Sequence, residues 1–406
     1  MNDRRVAVTG IGLMSALGTT RETVWDALVA GRCGIGDVTL FDATGFRSHK
    51  AAEIPAYNRD RAYSSKGWGR LSRSDQVAVI ATREALDDSG LTHDCASPER
   101  TGVFFGTGTA DLMRNEEWFA DMRRRGVRRA PPAKIFDHFP SVPADVVATC
   151  FGFEGPKSSV LSACSSGTVA IGYAADAIRW GAIDAAVAGA SDVLCRLTFS
   201  GFNALRLVDP EPCRPFCRTR QGMNLGESAA VLVLEELSHA RRRGAKIYAE
   251  VAGYGVRCEA YHATAPEPEG KAVAGLIESA LHTARVNADA VDHVNAHGTA
   301  TPQNDQAEAR GIRLAFGDRA RRMPVTSIKA MVGHCLAAAG AIEAAALALS
   351  IDRGVVPPTV SFRERDPECD VDVVANDARQ VPIRCGVSTS LAFGGNDAAI
   401  VLRRIH

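Results

Sequence analysis

The sequence has no excess of charge of either sign. Its 406 residues include 47 Lys and Arg and 47 Asp and Glu, so the formal net charge is zero. General nucleic-acid-binding proteins are basic, and the balance therefore argues against that class. Any charged partner must be met by a local patch of the surface.

The sequence also lacks a hydrophobic run long enough to cross a membrane, which takes about 20 residues. The most apolar stretch is Leu336–Ile351, and Glu343 lies near its middle. We expect a buried helix with one paired carboxylate and no membrane insertion. The apolar run Val6–Val8 near the N-terminus is too short for the core of a secretory signal peptide.

The cysteines form no regular framework. There are 11, an odd number, spread from Cys33 to Cys385. We therefore expect a cytoplasmic protein with reduced thiols. Cys213 and Cys217 are four residues apart, but no second pair or nearby histidine completes a zinc site, and we expect no metal.

A complete dinucleotide-binding fingerprint is missing as well. Gly10-Ile11-Gly12 follows a strand, but Ser15 replaces the third glycine and no acidic residue ends a second strand about 20 residues later. We interpret the two glycines as a tight turn at the exit of the strand. The sequence predicts no cofactor.

What the sequence does contain is an alternation of short β-branched runs with longer segments rich in Ala and Leu. Arg5–Gly10 and Gly102–Gly106 predict strands, and residues 20–30 and 72–89 predict helices, the second closed by Gly90. The alternation is typical of an α/β fold whose strands are covered on both faces.

Two segments indicate an internal duplication. Ser159–Cys164 and Pro324–Lys329 each form a strand that leads into a helix, and Gly167 and Gly340 occupy matching places in those helices. The repeat would be roughly 170 residues long. Because no linker separates the halves, we expect them to share one core.

A charged stretch, Met122–Lys134, combines clustered arginines with two prolines. It predicts an exposed loop. The loop is either a solvated face or a docking surface for an acidic partner, with Arg128 and Arg129 as candidate contacts.

Cys164 lies where a predicted strand meets a helix, with the small neighbours Ala163 and Ser165. The helix dipole at such a junction lowers the pKa of a thiol and favours the thiolate. A buried, inert cysteine is the usual alternative for any cysteine taken alone.

Other candidate residues lie at two further junctions and near the C-terminus. His297 ends a strand and precedes Thr299, Thr301 and Asp305, and the Lys329–His334 segment precedes the apolar helix. Glu343 in that helix could neutralise Lys329, and Phe393-Gly394-Gly395 lets backbone amides approach a ligand. One cysteine, two histidines and a lysine suit acyl transfer to sulfur, followed by decarboxylation with the enolate stabilised by imidazole N–H groups.

These residues resemble those of the β-ketoacyl-acyl-carrier-protein synthases, nearest the type II elongating enzymes and including bacterial polyketide ketosynthases. The likeness runs from Val8-Thr9-Gly10 through Gly226-Glu227 and the Val231–Glu235 stretch to Phe393. The resemblance implies a thiolase-like five-layered αβαβα duplication, with ketoacyl-synthase halves at residues 1–245 and 246–406. It also implies a dimer, either of two identical chains or with a chain-length factor.

The resemblance implies roles for individual residues. Cys164 is the acyl-accepting nucleophile, His297 and His334 assist decarboxylation, and Lys329 with Glu343 organises the site. Phe393 is the gate beside the cysteine, and Thr299, Thr301 and Asp305 are supporting residues of the site. The partner is acyl carrier protein, which is acidic. We therefore expect a basic docking rim on this chain at Lys66, Arg70, Arg73 and Arg206, besides Arg128 and Arg129.

Two other functions stay open, a non-catalytic chain-length-factor-like subunit and a coenzyme A thiolase. Chain-length factors lack the cysteine, and thiolases use a second catalytic cysteine where this chain has Phe393-Gly394-Gly395. The family run Asn-Ser-Phe-Gly-Phe-Gly-Gly-Thr-Asn appears here as the stretch from Thr389 to Asp397, with changes beside the gate. We interpret these changes as marking a specialised synthase for a polyene or other polyketide.

Overall fold

The computed structural model describes residues 4–58, 71–110, 112–130, 139 and 141–405. The strands are β1 (Val6–Ser15), β2 (Gly36–Asp37), β3 (Lys50–Ala52), β4 (Thr101–Gly106), β5 (Lys157–Val160), β6 (Ala185–Asp192), β7 (Leu225–Gly226), β8 (Ser228–Glu236), β9 (Ala249–Cys258), β10 (His293–Asn295), β11 (Pro324–Thr326), β12 (Val355–Val356), β13 (Asp372–Val373), β14 (Arg379–Gln380), β15 (Cys385–Ser390) and β16 (Asn396–Arg403). The helices are α1 (Arg21–Val29), α2 (Arg73–Ser89), α3 (Leu112–Arg125), α4 (Val142–Phe151), α5 (Ser166–Arg179), α6 (Arg196–Ala204), α7 (Leu237–Arg242), α8 (Lys271–Ala284), α9 (Pro302–Phe316), α10 (Lys329–Val332) and α11 (Ala339–Arg353).

Two sets of five strands share one topology. The first set has the order β5-β4-β6-β8-β1 and the second the order β11-β10-β15-β16-β9. In each set the outer three strands pair in parallel, and the remaining pairings are antiparallel. The same strand order with the same directions confirms the predicted duplication.

The two sets form the second and fourth of five layers. Helix α2 packs on the outer face of the first set, α8 and α9 cover the second, and α5 and α11 lie between the two sets. A short antiparallel pairing between β1 and β9 joins the sets at one edge. The architecture is the predicted αβαβα arrangement.

The central helices α5 and α11 approach each other closely. A Cβ atom on Gly167 would lie 2.9 Å from the Cβ of Ala341, and one on Gly340 would lie 2.1 Å from Oγ1 of Thr168. Glycine is therefore needed at both matching positions of the repeat. The contact holds together the two helices whose amino ends follow the predicted Cys164 and His334 segments.

Helix α11 is buried from Ala339 to Ile351, as predicted for the apolar stretch. The carboxylate of Glu343 pairs with Lys329 inside this layer. Within the described ranges, no helix combines the length and the apolar character that a membrane span requires.

Other local predictions hold in part. Ser72 caps α2 and Gly90 ends it in the left-handed region, as predicted. The tight turn predicted at Gly10 and Gly12 is wrong, because β1 continues to Ser15. Both glycines stay in the strand since α2 packs directly on it: a Cβ on Gly12 would meet a backbone carbonyl oxygen of α2 at 1.8 Å.

The arginine-rich stretch is helical at its start rather than a loop. Residues 123–125 form the last turn of α3, where basic side chains favour the negative end of the helix dipole. Arg128 and Arg129 follow in a short 3-10 turn and are exposed, as expected. Residues 131–134, which complete the predicted loop, lie outside the described residues.

Candidate active site

Cys164 lies on a sharp connection between β5 and α5. Ala163 has a φ of 51°, in the left-handed region that non-glycine residues rarely adopt. The connection is held by Ser166, whose hydroxyl accepts the N–H of Ser162 at 2.9 Å and donates to the carbonyl of Ala163 at 2.7 Å. Strained backbone of this kind persists where surrounding bonds hold it, often at functional sites.

Burial has a larger effect on Cys164 than its position before a helix. The residue is 8% exposed, and burial raises the pKa of its thiol to about 12, although Lys329 and the backbone N–H of Phe393 act in the opposite direction. The expected low pKa is therefore wrong for this structure. Burial therefore favours the protonated thiol, and formation of a thiolate here would need donors that stabilise the sulfur anion.

His297 follows β10 and is held by a carboxylate that the sequence did not reveal. Glu308 of α9 accepts the backbone N–H groups of His297 and Gly298, both at 2.7 Å, and the hydroxyl of Thr389 at 2.7 Å. Glu308 is one turn of helix after Asp305, and this spacing is the only signal that could have identified it. Its carboxylate fixes the loop that carries the imidazole.

Lys329 connects His297 to α11. Its Nζ lies 3.3 Å from Nδ1 of His297 and forms an ion pair with Glu343. Lys329 and Glu343 are 2% and 1% exposed. Burial raises the pKa of Glu343 to about 7, although the charge of Lys329 lowers it.

The contacts of the two imidazoles define where their protons lie. A lysine ammonium can only donate, so Nδ1 of His297 accepts and its proton is on Nε2. Nδ1 of His334 accepts the N–H of Leu336 at 3.2 Å, which places that proton on Nε2 as well. Burial, followed by the charge of Lys329, holds the pKa of both histidines well below its usual range, so both rings are neutral.

The predicted residues converge on one cavity of about 320 Å³. The rings of His297 and His334 meet edge to face with centroids 5.3 Å apart. The predicted residues that line the cavity are Cys164, His297, Thr299, Thr301, His334 and Phe393. The cavity can therefore hold one substrate against a thiol and two neutral N–H donors.

The threonines and Asp305 occupy different places in the site. The hydroxyls of Thr299 and Thr301 lie 2.9 Å apart at the cavity wall. Asp305 is buried behind them and accepts the N–H of Phe216 at 2.7 Å and of Ala300 at 3.1 Å. Asp305 therefore acts on the shape of the loop.

Phe393 lies in the loop between β15 and β16. Its ring stacks on Phe202 with centroids 5.7 Å apart, and its backbone N–H is a hydrogen-bond donor to Cys164. The glycines that follow both have positive φ, 80° at Gly394 and 67° at Gly395. A side chain is disfavoured at these two positions, and the backbone of the loop lies close to the sulfur.

The predicted docking residues fall into three groups. Lys66 and Arg70 lie outside the described residues. Arg73 is turned inward: its guanidinium binds the buried Glu227 with bonds of 2.9 and 2.6 Å. Arg128, Arg129 and Arg206 are exposed.

Comparison with known proteins gives matches over nearly the whole chain. The family profile described as "Beta-ketoacyl synthase, N-terminal domain" matches residues 3–240, and "Beta-ketoacyl synthase, C-terminal domain" matches residues 248–363. The tetracenomycin polyketide synthase ketoacyl synthase alpha subunit of Streptomyces glaucescens is 41% identical, covering 99% of this chain and 97% of that protein. The 3-oxoacyl-[acyl-carrier-protein] synthase 2 of Staphylococcus aureus (strain N315) is 36% identical, covering 100% and 99%.

Solved structures agree with these matches. The structure described as "The ishigamide ketosynthase/chain length factor" has a TM-score of 0.95 and 36% identity, covering 99% of this chain and 100% of that one. A type II polyketide synthase acyl carrier protein in complex with its ketosynthase bound to the hexaketide gives a TM-score of 0.92 and 31% identity, with the same coverage.

Proposed function

The chain belongs to the β-ketoacyl synthase family and is an acyltransferase that forms carbon–carbon bonds, and from this premise we propose the role of each residue in its cavity. Cys164 takes an acyl group from acyl carrier protein: its sulfur forms the new thioester, the old carbon–sulfur bond breaks, and the thiol proton leaves with the carrier. The backbone N–H groups of Cys164 and Phe393 stabilise the tetrahedral oxyanion.

The second step is decarboxylation of malonyl carrier protein. The carbon–carbon bond to the carboxylate breaks and CO2 leaves. The electron pair of the broken bond stays on the thioester and forms an enolate. The Nε2–H groups of His297 and His334 donate to the enolate oxygen, and the enolate carbon then attacks the acyl group on Cys164. Collapse of the adduct breaks the bond between the acyl carbon and sulfur and releases the β-ketoacyl carrier, and the Cys164 thiolate takes up a proton from solvent to restore the thiol.

One observation carries this assignment: two neutral imidazoles, each with its proton on Nε2, line the same cavity as a cysteine. The set suits decarboxylation better than thiolase chemistry, since Phe393-Gly394-Gly395 stands where thiolases have a second cysteine. The presence of Cys164 also distinguishes the chain from non-catalytic chain-length factors, which lack a cysteine at that position.

We place this condensation in polyketide synthesis. The polyketide alpha subunit is more similar in sequence than the staphylococcal synthase, at 41% against 36% identity. Four residues beside the gate, Leu391, Ala392, Asn396 and Asp397, depart from the family run, and such changes alter which acyl chains enter. An acyl preference identical to that of ordinary fatty-acid elongation would contradict this placement.

The proposed partners are acyl carrier protein and a second ketosynthase-like chain. Exposed Arg128, Arg129 and Arg206 supply basic contacts for an acidic carrier. Strand β5 lies at the end of the sheet order with one described neighbour, β4, and an open edge of this kind favours pairing with another chain. Leu161, directly after β5, is 55% exposed, and Trp180, at the end of α5, is 79% exposed.

Free cysteines support a reducing compartment for these reactions. All 11 thiols are free in the structure, and we propose a cytoplasmic location.

Native mass spectrometry with and without a cysteine-less relative distinguishes a homodimer from a heterodimer.

The test of the nucleophile is intact-protein mass spectrometry after mixing the chain with a panel of acyl-carrier thioesters. Cys164→Ala is the control. We expect a covalent acyl mass in the wild type that is absent from the variant, and its preferred chain length identifies the pathway. A mass that persists in the variant would refute the role of Cys164, and no mass with any donor or partner chain would favour the non-catalytic alternative.

A further inference from the structure

The Phe393 loop, residues 392–395, is held by a bond at almost every peptide group. The N–H of Ala392 donates to Oδ1 of Asp397 at 3.0 Å, and the N–H of Gly394 donates to the carbonyl of Ala263 at 2.8 Å. The carbonyl of Gly395 accepts the N–H of Glu259 at 3.0 Å. Two acidic residues therefore hold the two ends of the loop, one through its side chain and one through its backbone.

Those two acidic residues also contact each other. The side chains of Glu259 and Asp397 are within hydrogen-bond distance, and both residues line the reaction cavity. Oε2 of Glu259 accepts the N–H of Glu267 at 3.0 Å, and Oδ1 of Asp397 accepts the loop. The remaining oxygens, Oε1 and Oδ2, are buried and have no donor among the described residues.

Two carboxylate oxygens in contact cannot both be ionised without repulsion, whereas one proton between them supplies the missing donor. The titratable groups around the pair come from four parts of the chain: Arg257 of β9, His262 and Glu267 of the following segment, Glu308 of α9 and Cys164 before α5. The guanidinium of Arg257 lies beside Gly275 of α8. The leading charged influences on Asp397 are Glu259 and Glu308, both acidic, which favours retention of the proton.

We propose that Glu259 and Asp397 share one proton, and that this proton positions the Phe393 loop over Cys164. The two acids are positioning residues: they act through the loop, which carries both the aromatic gate and the N–H that bonds the sulfur. The inference rests on the proposed function only in taking Cys164 as the reactive thiol. The family run has asparagine at the last position, where this chain has the ionisable Asp397.

The pair gives the loop a pH dependence. Burial, together with Glu259 and Glu308, raises the pKa of Asp397 to about 8. Below that pH the shared proton joins the two side chains and the loop is closed. Above it the proton is lost, the carboxylates repel each other, and the loop leaves Cys164.

The experiment compares the wild type with Asp397→Asn, because an amide provides a permanent donor toward Glu259 and still accepts the loop N–H. The rate of carbamidomethylation of Cys164 by iodoacetamide is followed by peptide mass spectrometry from pH 6 to 9.5. The ratio of wild-type rate to variant rate removes the ionisation of the thiol itself. Hydrogen exchange of the 392–395 peptide is measured in the same way and does not depend on the reactivity of Cys164.

We expect both ratios to be near one below pH 7 and to rise by about threefold or more between pH 7.5 and 9.5. Glu259→Gln should match Asp397→Asn, since either amide replaces the proton, and Asp397→Ala should open the loop at every pH. Ratios that stay flat would overturn the shared proton. If Cys164 does not react in the wild type or in any variant while the exchange ratio rises, the shared proton between Glu259 and Asp397 is supported. The role of Cys164 as the nucleophile is then refuted.

Discussion

Replacing Lys329 with methionine tests how the buried ion pair contributes to stability and to catalysis separately. The single variant Lys329→Met leaves Glu343 in α11 without its cation. The double variant Lys329→Met/Glu343→Leu replaces both partners with apolar side chains of similar size. Only the single variant leaves an uncompensated buried acid.

The stability effects follow from the burial of both residues. Removing one partner of a buried pair costs about 3–5 kcal/mol, whereas replacing both with apolar groups is often neutral. The double variant also removes Oε2 of Glu343, a buried atom with no donor among the described residues. We therefore expect Lys329→Met to lose about 3–5 kcal/mol of unfolding free energy and the double variant to regain most of it.

The pH dependence gives the sign of the effect. Burial raises the pKa of Glu343 from 4.5 to about 7, so the folded wild type binds this proton more tightly than the unfolded chain does. Stability from this group therefore falls as pH rises from about 4.5 to 7 and is level above. Without Lys329 the pKa rises further, and stability keeps falling above pH 7, by up to about 1.4 kcal/mol per pH unit. The double variant has no such slope.

Catalysis should separate from stability in the double variant. Lys329 donates to Nδ1 of His297, and a hydrogen bond from a charged donor is worth about 1.5–3 kcal/mol. Decarboxylation of a malonyl thioester should therefore slow by about 10- to 150-fold in both variants. Denaturant unfolding at pH 6 to 9 and release of CO2 provide the two measurements. A double variant that decarboxylates at the wild-type rate, or a single variant as stable as the wild type at pH 8, would refute the reasoning.

Three further predictions concern the docking surface, the fold and the cavity. Reversing charge at Arg128 and Arg129 to glutamate should raise KM for carrier-bound substrate in a salt-dependent way and spare small thioesters; equal loss with both substrates would exclude docking there. Gly12→Ala should lower the unfolding free energy by about 1–3 kcal/mol because its Cβ would overlap α2, whereas Gly36→Ala, with open space around it, should change it by less than about 0.5 kcal/mol. Glu308→Gln should lose at least one charge-assisted bond, about 1.5–3 kcal/mol, and slow decarboxylation while acylation persists; unchanged decarboxylation would show that the carboxylate does not hold the imidazole.

Features with a local cause could be predicted from the sequence. Ser72 and Gly90 mark the ends of α2 because caps and left-handed glycines act within one turn of the chain. The duplication was visible in Gly167 and Gly340, since close helix packing restricts side-chain size. In contrast, Gly12 looked like a turn because the helix that packs on it is about 70 residues away in sequence.

The site was predicted as a set of residues but not in its electrostatics. The junction position of Cys164 suggested a low thiol pKa, and burial by distant segments reverses that direction. Glu308 and Glu259 carried no motif of their own, because their roles come from the backbone groups that the fold brings to them. Contacts of this kind depend on tertiary structure, and the spacing of Glu308 one helical turn after Asp305 was the only local signal of either residue.

The central layer also has a consequence for the synthesis of the chain. Helix α11 from the second half packs on β1 and β8 of the first, while α5 of the first half contacts β9 and β16 of the second. When the first half leaves the ribosome, α5 already packs on β4 and β6, but the part of the inner face that α11 covers is still exposed. Exposed apolar surface of this kind is prone to aggregation. Halves expressed separately should therefore need each other to remain folded. The reaction cavity forms only when the last strands arrive, so reactivity is acquired at the end of folding.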